Sequence, residues 1–261
     1  MNKLWKIIKD SGEFEVVDLP KITYDEWVVD DGWARYHGFN NAEPLTYRCA
    51  SITYFENFFQ IDCKDERGSD YERAGCFIKE GDIVVDVGAN IGCFSRYALT
   101  KNPSRVISYE PFSKNFECLK YNTKDTICEI HQNAVSNNSE PITLLGSDTF
   151  SGGSNIMNHD QNGLYNISET VDCVTLDSLF ENDVIDKIDF LKIDVEGAEI
   201  QVIKGLNSDN LFKVKKIAME VHKNMFDKSD LRDMVGKIGN AGFNLFTFDL
   251  PGDLSIYHWY R

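Results

Sequence analysis

The segment Val85-Asp86-Val87-Gly88-Ala89-Asn90-Ile91-Gly92 decides how the rest of this 261-residue chain is read. It follows the apolar run Ile83-Val84-Val85 and precedes a helical pattern over Ile91 to Lys101, which Pro103 stops. A short apolar run closed by an acid reads as a buried parallel strand. Glycine at 88 and 92 lets the backbone bend tightly and approach a ligand closely. The helix that follows offers unpaired N–H groups to an electron-rich ligand.

Working outward, the same alternation recurs. Strands are expected at Arg105–Tyr109, Ile127–His131, Ile188–Ile193 and Val214–Val221, with helices over Phe112–Lys124, Glu196–Leu206 and Lys228–Gly239. Two β-like pieces, Pro141–Leu145 and Thr170–Leu176, flank a Gly/Ser/Asn-rich loop, Ser147–Asn166, that is expected to cover an acceptor site. Phe243–Phe248 and Leu254–Tyr260 are joined by Pro251-Gly252-Asp253, a turn signal, so these last strands pair antiparallel. The fold class is α/β: an open, mostly parallel sheet with a C-terminal antiparallel hairpin. Before about residue 80 the chain is aromatic-rich and irregular, with a strand expected at Ala50–Ile61 and a short helix at Ser69–Ile78. The expected division is an N-terminal extension, 1–78, acting as a substrate-side cap, and a cofactor-binding domain, 79–261. The extension's aromatics, Trp5, Trp27 and Trp33 among them, suit either a core or the stacking of sugar rings.

Ligands of such sheets bind at the carboxyl ends of the strands, near the switch point of strand order. Glu110 ends the second strand about 20 residues past the glycine turn, where an acid accepts both hydroxyls of a ribose. Asn133, just after the third strand, suits either the edge of adenine or a plain turn. A dinucleotide fingerprint would need glycines at 88, 90 and 93, but Asn90 and Cys93 stand at the last two. Pyrophosphate would meet side chains where it needs bare backbone, which makes an NAD(P)-binding oxidoreductase the weaker alternative. S-adenosylmethionine (SAM) carries no phosphate, and its sulfonium and amino-acid end suit Asp86 and nearby polar groups.

Composition excludes other partners. The formal net charge is −15 and the sequence pI about 4.7, a surface that repels nucleic acid and anionic lipid. No apolar run is long enough to span a bilayer and the N-terminus lacks a signal-peptide core, so a cytoplasmic protein is expected. The seven cysteines show no Cys-x-x-Cys spacing and are expected to be free, buried thiols.

Together with Leu191-Lys192-Ile193-Asp194-Val195-Glu196-Gly197-Ala198-Glu199, these motifs closely resemble the FkbM family of methyltransferases, over about Gly81 to His222. The resemblance implies a seven-stranded, Rossmann-like class I fold. It also implies SAM-dependent O-methylation of a hydroxyl on a sugar, glycan or secondary metabolite. By position, Asp86, Gly88, Asn90 and Glu110 would contact SAM, and Asp194 and Glu196 would lie at the active site. Gly92, Asn133 and Asp194 complete the expected cofactor set. A SAM-binding protein without catalysis is the other alternative.

Methyl transfer is an in-line displacement that holds the acceptor oxygen about 3 Å from the methyl group. The hydroxyl's proton must also be removed, by a base or with the help of a metal. Asp194 ends the fourth strand, and Glu220 and His222 share one face at the end of the fifth. His222 is the expected general base, because its reference pKa suits neutral pH, with Asp194 or Glu220 orienting it or the acceptor. A strand-end histidine bonded to backbone is the plainer reading of the same residue. Asp194, Glu196 and Glu220 form the rival oxygen set for Mg²⁺, which is not the favoured expectation. Glu199 is read as a helix-stabilising acid of the first turn.

Overall fold

The computed structural model describes residues 69–146, 167–181, 184–250 and 254–261, together with five strands before residue 50. Those strands are β1 (Leu4–Ile8), β2 (Phe14–Asp18), β3 (Glu26–Asp30), β4 (Trp33–Asn40) and β5 (Glu43–Cys49). They pair antiparallel as β1-β2 and β3-β4-β5, where the sequence suggested only irregular chain. The strand expected at Ala50–Ile61, the loop Ser147–Asn166, the turn at 251–253 and the N-terminal aromatic side chains all lie outside the described residues.

The principal sheet is built from β6 (Ile83–Val87), β7 (Arg105–Tyr109), β8 (Cys128–His131), β13 (Phe190–Ile193), β14 (Lys216–His222), β15 (Asn244–Asp249) and β16 (Leu254–Tyr260). Its order is β15-β16-β14-β13-β6-β7-β8. Neighbours from β14 through β8 are parallel, while β16 is antiparallel to both β14 and β15. This is the expected seven-stranded, mostly parallel class I arrangement with its C-terminal hairpin. The last strand does not lie at the edge. It inserts between β14 and β15, and burial follows: Ile256 and Trp259 of β16 are fully buried, whereas most of β15 is exposed.

The central strands are apolar because both faces are covered. Every residue of β6 and β13 is buried. Each buried Val, Leu, Ile or Phe side chain contributes about 1.5–3 kcal/mol. The covering helices include α1 (Cys93–Leu99), α2 (Ser113–Asn122), α3 (Glu199–Lys204), α4 (Ser208–Leu211) and α5 (Lys228–Asn240). Phe94 of α1 stacks on Phe190 of β13, with ring centroids 5.9 Å apart.

Between β8 and β13 the chain forms β9 (Ala134–Val135), β10 (Ile142–Gly146), β11 (Ile167–Val171) and β12 (Cys173–Val174). β10 pairs antiparallel with β11, and β9 parallel with β12. The expected strand Thr170–Leu176 is therefore split at Asp172. Leu176 belongs instead to a 3-10 turn, Leu176–Leu179, capped by the side chain of Thr175.

The helix expected at Ser69–Ile78 is absent. Residues 69–78 form tight turns with a bridge between Arg73 and Cys76. Ala74 and Gly75 have φ of 50° and 96°, values a right-handed helix does not admit. Gly75 also lies against Tyr260, whose ring would sit 3.0 Å from an added Cβ. Among the described cysteines, Cys76, Cys93, Cys118 and Cys173 are free and buried, and Cys128 is free and partly buried. No helix among the described residues is long and apolar enough to cross a membrane.

Candidate active site at the strand ends

β6 and β13 adjoin where strand order reverses, and the glycine turn leaves β6 at that point. Gly88 has φ +77°, and a Cβ there would lie 1.7 Å from the Asp194 carbonyl oxygen, so only glycine fits. The N–H groups of Gly88 and Ala89 both donate to the Tyr109 carbonyl, at 3.0 and 2.9 Å, and bind the turn to β7. Asn90 takes a left-handed φ of 50°, a conformation that asparagine tolerates better than most residues. Gly92, at φ +93°, leads into α1.

Asp86 departs from its expected role as a cofactor contact. It is fully buried and both oxygens are engaged within the fold. Ser95 Oγ donates to Oδ2 at 2.6 Å, and Lys192 Nζ lies 3.2 Å from Oδ1. Lys192 is itself 2% exposed and donates to the Gly88 carbonyl at 2.7 Å. Asp86 thus acts on the turn through Lys192, from beneath.

Glu110 sits beside that turn, as expected. Its Oε2 accepts from the Asn90 backbone N–H and its Oε1 from that of Phe112, each at 2.9 Å. Burial pushes its pKa up to about 7, against the lowering effect of these N–H donors. Asn115 Nδ2 adds a longer contact to Oε1, at 3.5 Å, and because a carboxylate has about four acceptor positions, capacity for a ligand hydroxyl remains, chiefly on Oε2. Asn133 follows β8, and its amide reaches the Asp172 carbonyl only at 3.5 Å.

Asp194, Glu220 and His222 come together, each offering one donor atom within 4.8 Å of the others. Asp194 and Glu220 are bridged by Tyr71, whose hydroxyl lies 3.0 Å from Asp194 Oδ2 and 3.2 Å from Glu220 Oε2. The sequence did not single out Tyr71. It is fully buried, edge-on to Phe94 with ring centroids 5.5 Å apart. Burial and the neighbouring Asp194 raise the pKa of Glu220 well above the carboxylate range.

His222 differs from the expected general base. Nδ1 lies 2.9 Å from Glu199 Oε1 and Nε2 lies 3.1 Å from Glu196 Oε2. Burial opposes its charge, but these two carboxylates prevail and push the pKa up to about 11. At neutral pH this imidazole already carries both protons and has no lone pair for a third. Glu199, read as a helix-stabilising acid, is instead fully buried against His222. Glu196 and Gly197 have φ of 51° and 98°, so α3 begins only at Glu199, which also accepts the Gly197 N–H at 3.0 Å. The oxygen set expected for Mg²⁺ is likewise re-sorted, because Glu196 is occupied with His222 and the convergent trio contains His222 in its place.

Comparison with known proteins places the chain in a family. Residues 86–245 match the Methyltransferase FkbM domain. The AMB antimetabolite synthetase AmbE of Pseudomonas aeruginosa is 30% identical over 80% of this chain, which spans only 11% of AmbE. The hexuronic acid methyltransferase AglP of Haloferax volcanii is 26% identical, over 61% of this chain and 63% of AglP. The 31-O-demethyl-FK506 methyltransferase FkbM of Streptomyces tacrolimicus is 28% identical, over 58% of this chain and 70% of that protein. The crystal structure of Methyltransferase FkbM from Methylobacillus flagellatus KT shares the fold, with a TM-score of 0.50, 18% identity, and coverage of 78% of this chain and 48% of that one. With more than half its length matched by the domain, and with the domain's strand-end motifs gathered on one edge of the sheet, the chain belongs to the FkbM methyltransferase family.

Proposed function

We propose that the protein transfers the methyl group of SAM to a hydroxyl of a sugar, glycan or secondary metabolite. The observation that carries this reading is the edge shared by Glu110, the Gly88–Gly92 turn and the Asp194/Glu220/His222 cluster. Glu110 and the turn suit a nucleoside, with its ribose on Glu110 and its amino-acid end along residues 88–92. Asn133 stands at the adenine end. The cluster on β13 and β14 then faces the methyl group and receives the acceptor.

In the reaction the acceptor oxygen forms a bond to the methyl carbon as the carbon–sulfur bond breaks, its electron pair passing to sulfur. The hydroxyl proton goes to one of the carboxylates gathered around His222 rather than to His222 itself, whose nitrogens are both engaged. The activities named for AglP and for the 31-O-demethyl-FK506 enzyme support a hydroxyl-bearing acceptor. The net charge of −15 speaks against nucleic acid.

The test is calorimetric titration of the purified chain with SAM, S-adenosylhomocysteine and NADH, followed by a radiolabelled-SAM screen of hydroxylated acceptors. The first two nucleosides are expected to bind and NADH is not. Absence of binding by both sulfur nucleosides removes the proposal. Binding without turnover across the panel favours a non-catalytic SAM-binding protein.

A further inference from the structure

The geometry points to a divalent transition-metal site formed by Asp194, Glu220 and His222, and this inference rests on the methyl-transfer reading above. Tyr71 occupies one oxygen of each carboxylate, Asp194 Oδ2 and Glu220 Oε2. The remaining oxygens are left for another partner. Asp194 Oδ1 is buried with no hydrogen-bond partner, and Glu220 Oε1 stands 3.9 Å from His222 Nε2. Three donors within 4.8 Å of one another need only a small contraction to meet one ion.

A second, independent feature lies behind the histidine. A metal-bound imidazole nearly always gives its other ring N–H to a carboxylate or carbonyl, which fixes its orientation. Glu199 fills that place, 2.9 Å from Nδ1 and fully buried, and its other oxygen has no hydrogen-bond partner. A surface histidine does not require a buried glutamate at its back.

Charge argues the same way. Four carboxyl groups, Asp194, Glu196, Glu199 and Glu220, converge on two cations, Lys192 and His222. Glu199 and Glu220 are buried and Asp194 and Glu196 partly so, and buried carboxylates in excess are costly unless paired or bound to a metal. The imidazole in the set shifts preference from Mg²⁺ toward a first-row ion such as Mn²⁺, Fe²⁺ or Zn²⁺. On binding, the Nε2 proton of His222 is released to solvent and that nitrogen turns its lone pair from Glu196 to the ion, while Nδ1–H stays on Glu199. Glu196 is then free to take the proton of a hydroxyl whose oxygen the ion polarises.

The probe is Mn²⁺ added to the EDTA-stripped full chain, with free ion read by electron paramagnetic resonance, in the absence and presence of S-adenosylhomocysteine. One saturable Mn²⁺ per chain is expected. Asp194→Asn and Glu220→Gln should each weaken it by at least about tenfold, and Glu199→Gln, a positioning change, by about 10–100-fold. Glu181→Gln, at an exposed position, should leave it unchanged. Affinity for S-adenosylhomocysteine and the melting temperature, measured on every variant, show that each is folded. No saturable Mn²⁺ in the native chain, or Mn²⁺ retained by folded Asp194→Asn and Glu220→Gln variants, overturns the site. Loss of nucleoside binding by the native chain defeats the methyltransferase reading instead, whatever Mn²⁺ does.

Discussion

Lys192 and Asp86 form an ion pair wholly inside the fold, 3.2 Å apart and 2% and 0% exposed, on adjacent strands beneath the Gly88–Gly92 turn. Their register is fixed by β13 and β6, in which the two residues are direct partners. Substituting one member of such a pair leaves a buried charge uncompensated. Lys192→Met is therefore expected to cost about 3–5 kcal/mol. The double variant Asp86→Asn/Lys192→Met should recover much of that loss, because neither charge remains. Urea unfolding of the native chain, Asp86→Asn, Lys192→Met and the double variant checks this, and purely additive costs would refute the coupling.

The glycines of the molecule make a graded series. Gly88→Ala combines a left-handed φ, worth roughly 1–3 kcal/mol, with a Cβ 1.7 Å from the Asp194 carbonyl oxygen. It should abolish nucleoside binding. Gly92→Ala presses on the tip of the Leu119 side chain, at 2.9 Å, with its other neighbours at ordinary contact distance, at a similarly left-handed φ. It should weaken binding without abolishing it. Gly236 lies within α5 with nothing within 4 Å of an added Cβ. There alanine should stabilise by about 0.5–1 kcal/mol. Thermal melting and S-adenosylhomocysteine titration of all three variants test the order. Equal effects at positions 88 and 236 would contradict it.

The order of this series is partly legible in the sequence, because a glycine between a buried strand and a helix marks a sharp turn where backbone or ligand comes close. The alternation of apolar runs with helical patterns likewise points to the parallel sheet, and the strand-end acids fall at its edge. Long-range pairing is not legible. Tyr71 reads as one aromatic of a helix, whereas the segment folds into tight turns, with Ala74 and Gly75 left-handed, and its hydroxyl reaches β13 and β14. Glu199 carries the pattern of a helix-stabilising acid. The two left-handed residues before it delay the helix and bring the side chain to His222. Lys192 gives no local sign of burial, since its partner Asp86 is over a hundred residues away in sequence. Nor does a hairpin's sequence say which of its strands joins the sheet, and here β16 does.

Glu110 sets the expected pH dependence of cofactor binding. Burial raises its folded pKa to about 7 from the ordinary carboxylate value of 4.5, so the fold favours the protonated acid. Its contribution to stability is complete below about 4.5 and is lost as pH rises through about 7. Ribose hydroxyls, by contrast, donate best to the ionised carboxylate. Affinity for S-adenosylhomocysteine should therefore climb as pH rises through about 7, and thermal stability should fall between about 4.5 and about 7 and level off above it. Glu110→Gln keeps the shape and removes the proton equilibrium. It should bind the nucleoside more weakly, with the slope in this window gone, and should be the more stable protein on the alkaline side. Calorimetric titration across the window, paired with melting curves on the same samples, separates the two effects. A slope that persists undiminished in Glu110→Gln would assign the titration to another group and detach the ribose from Glu110.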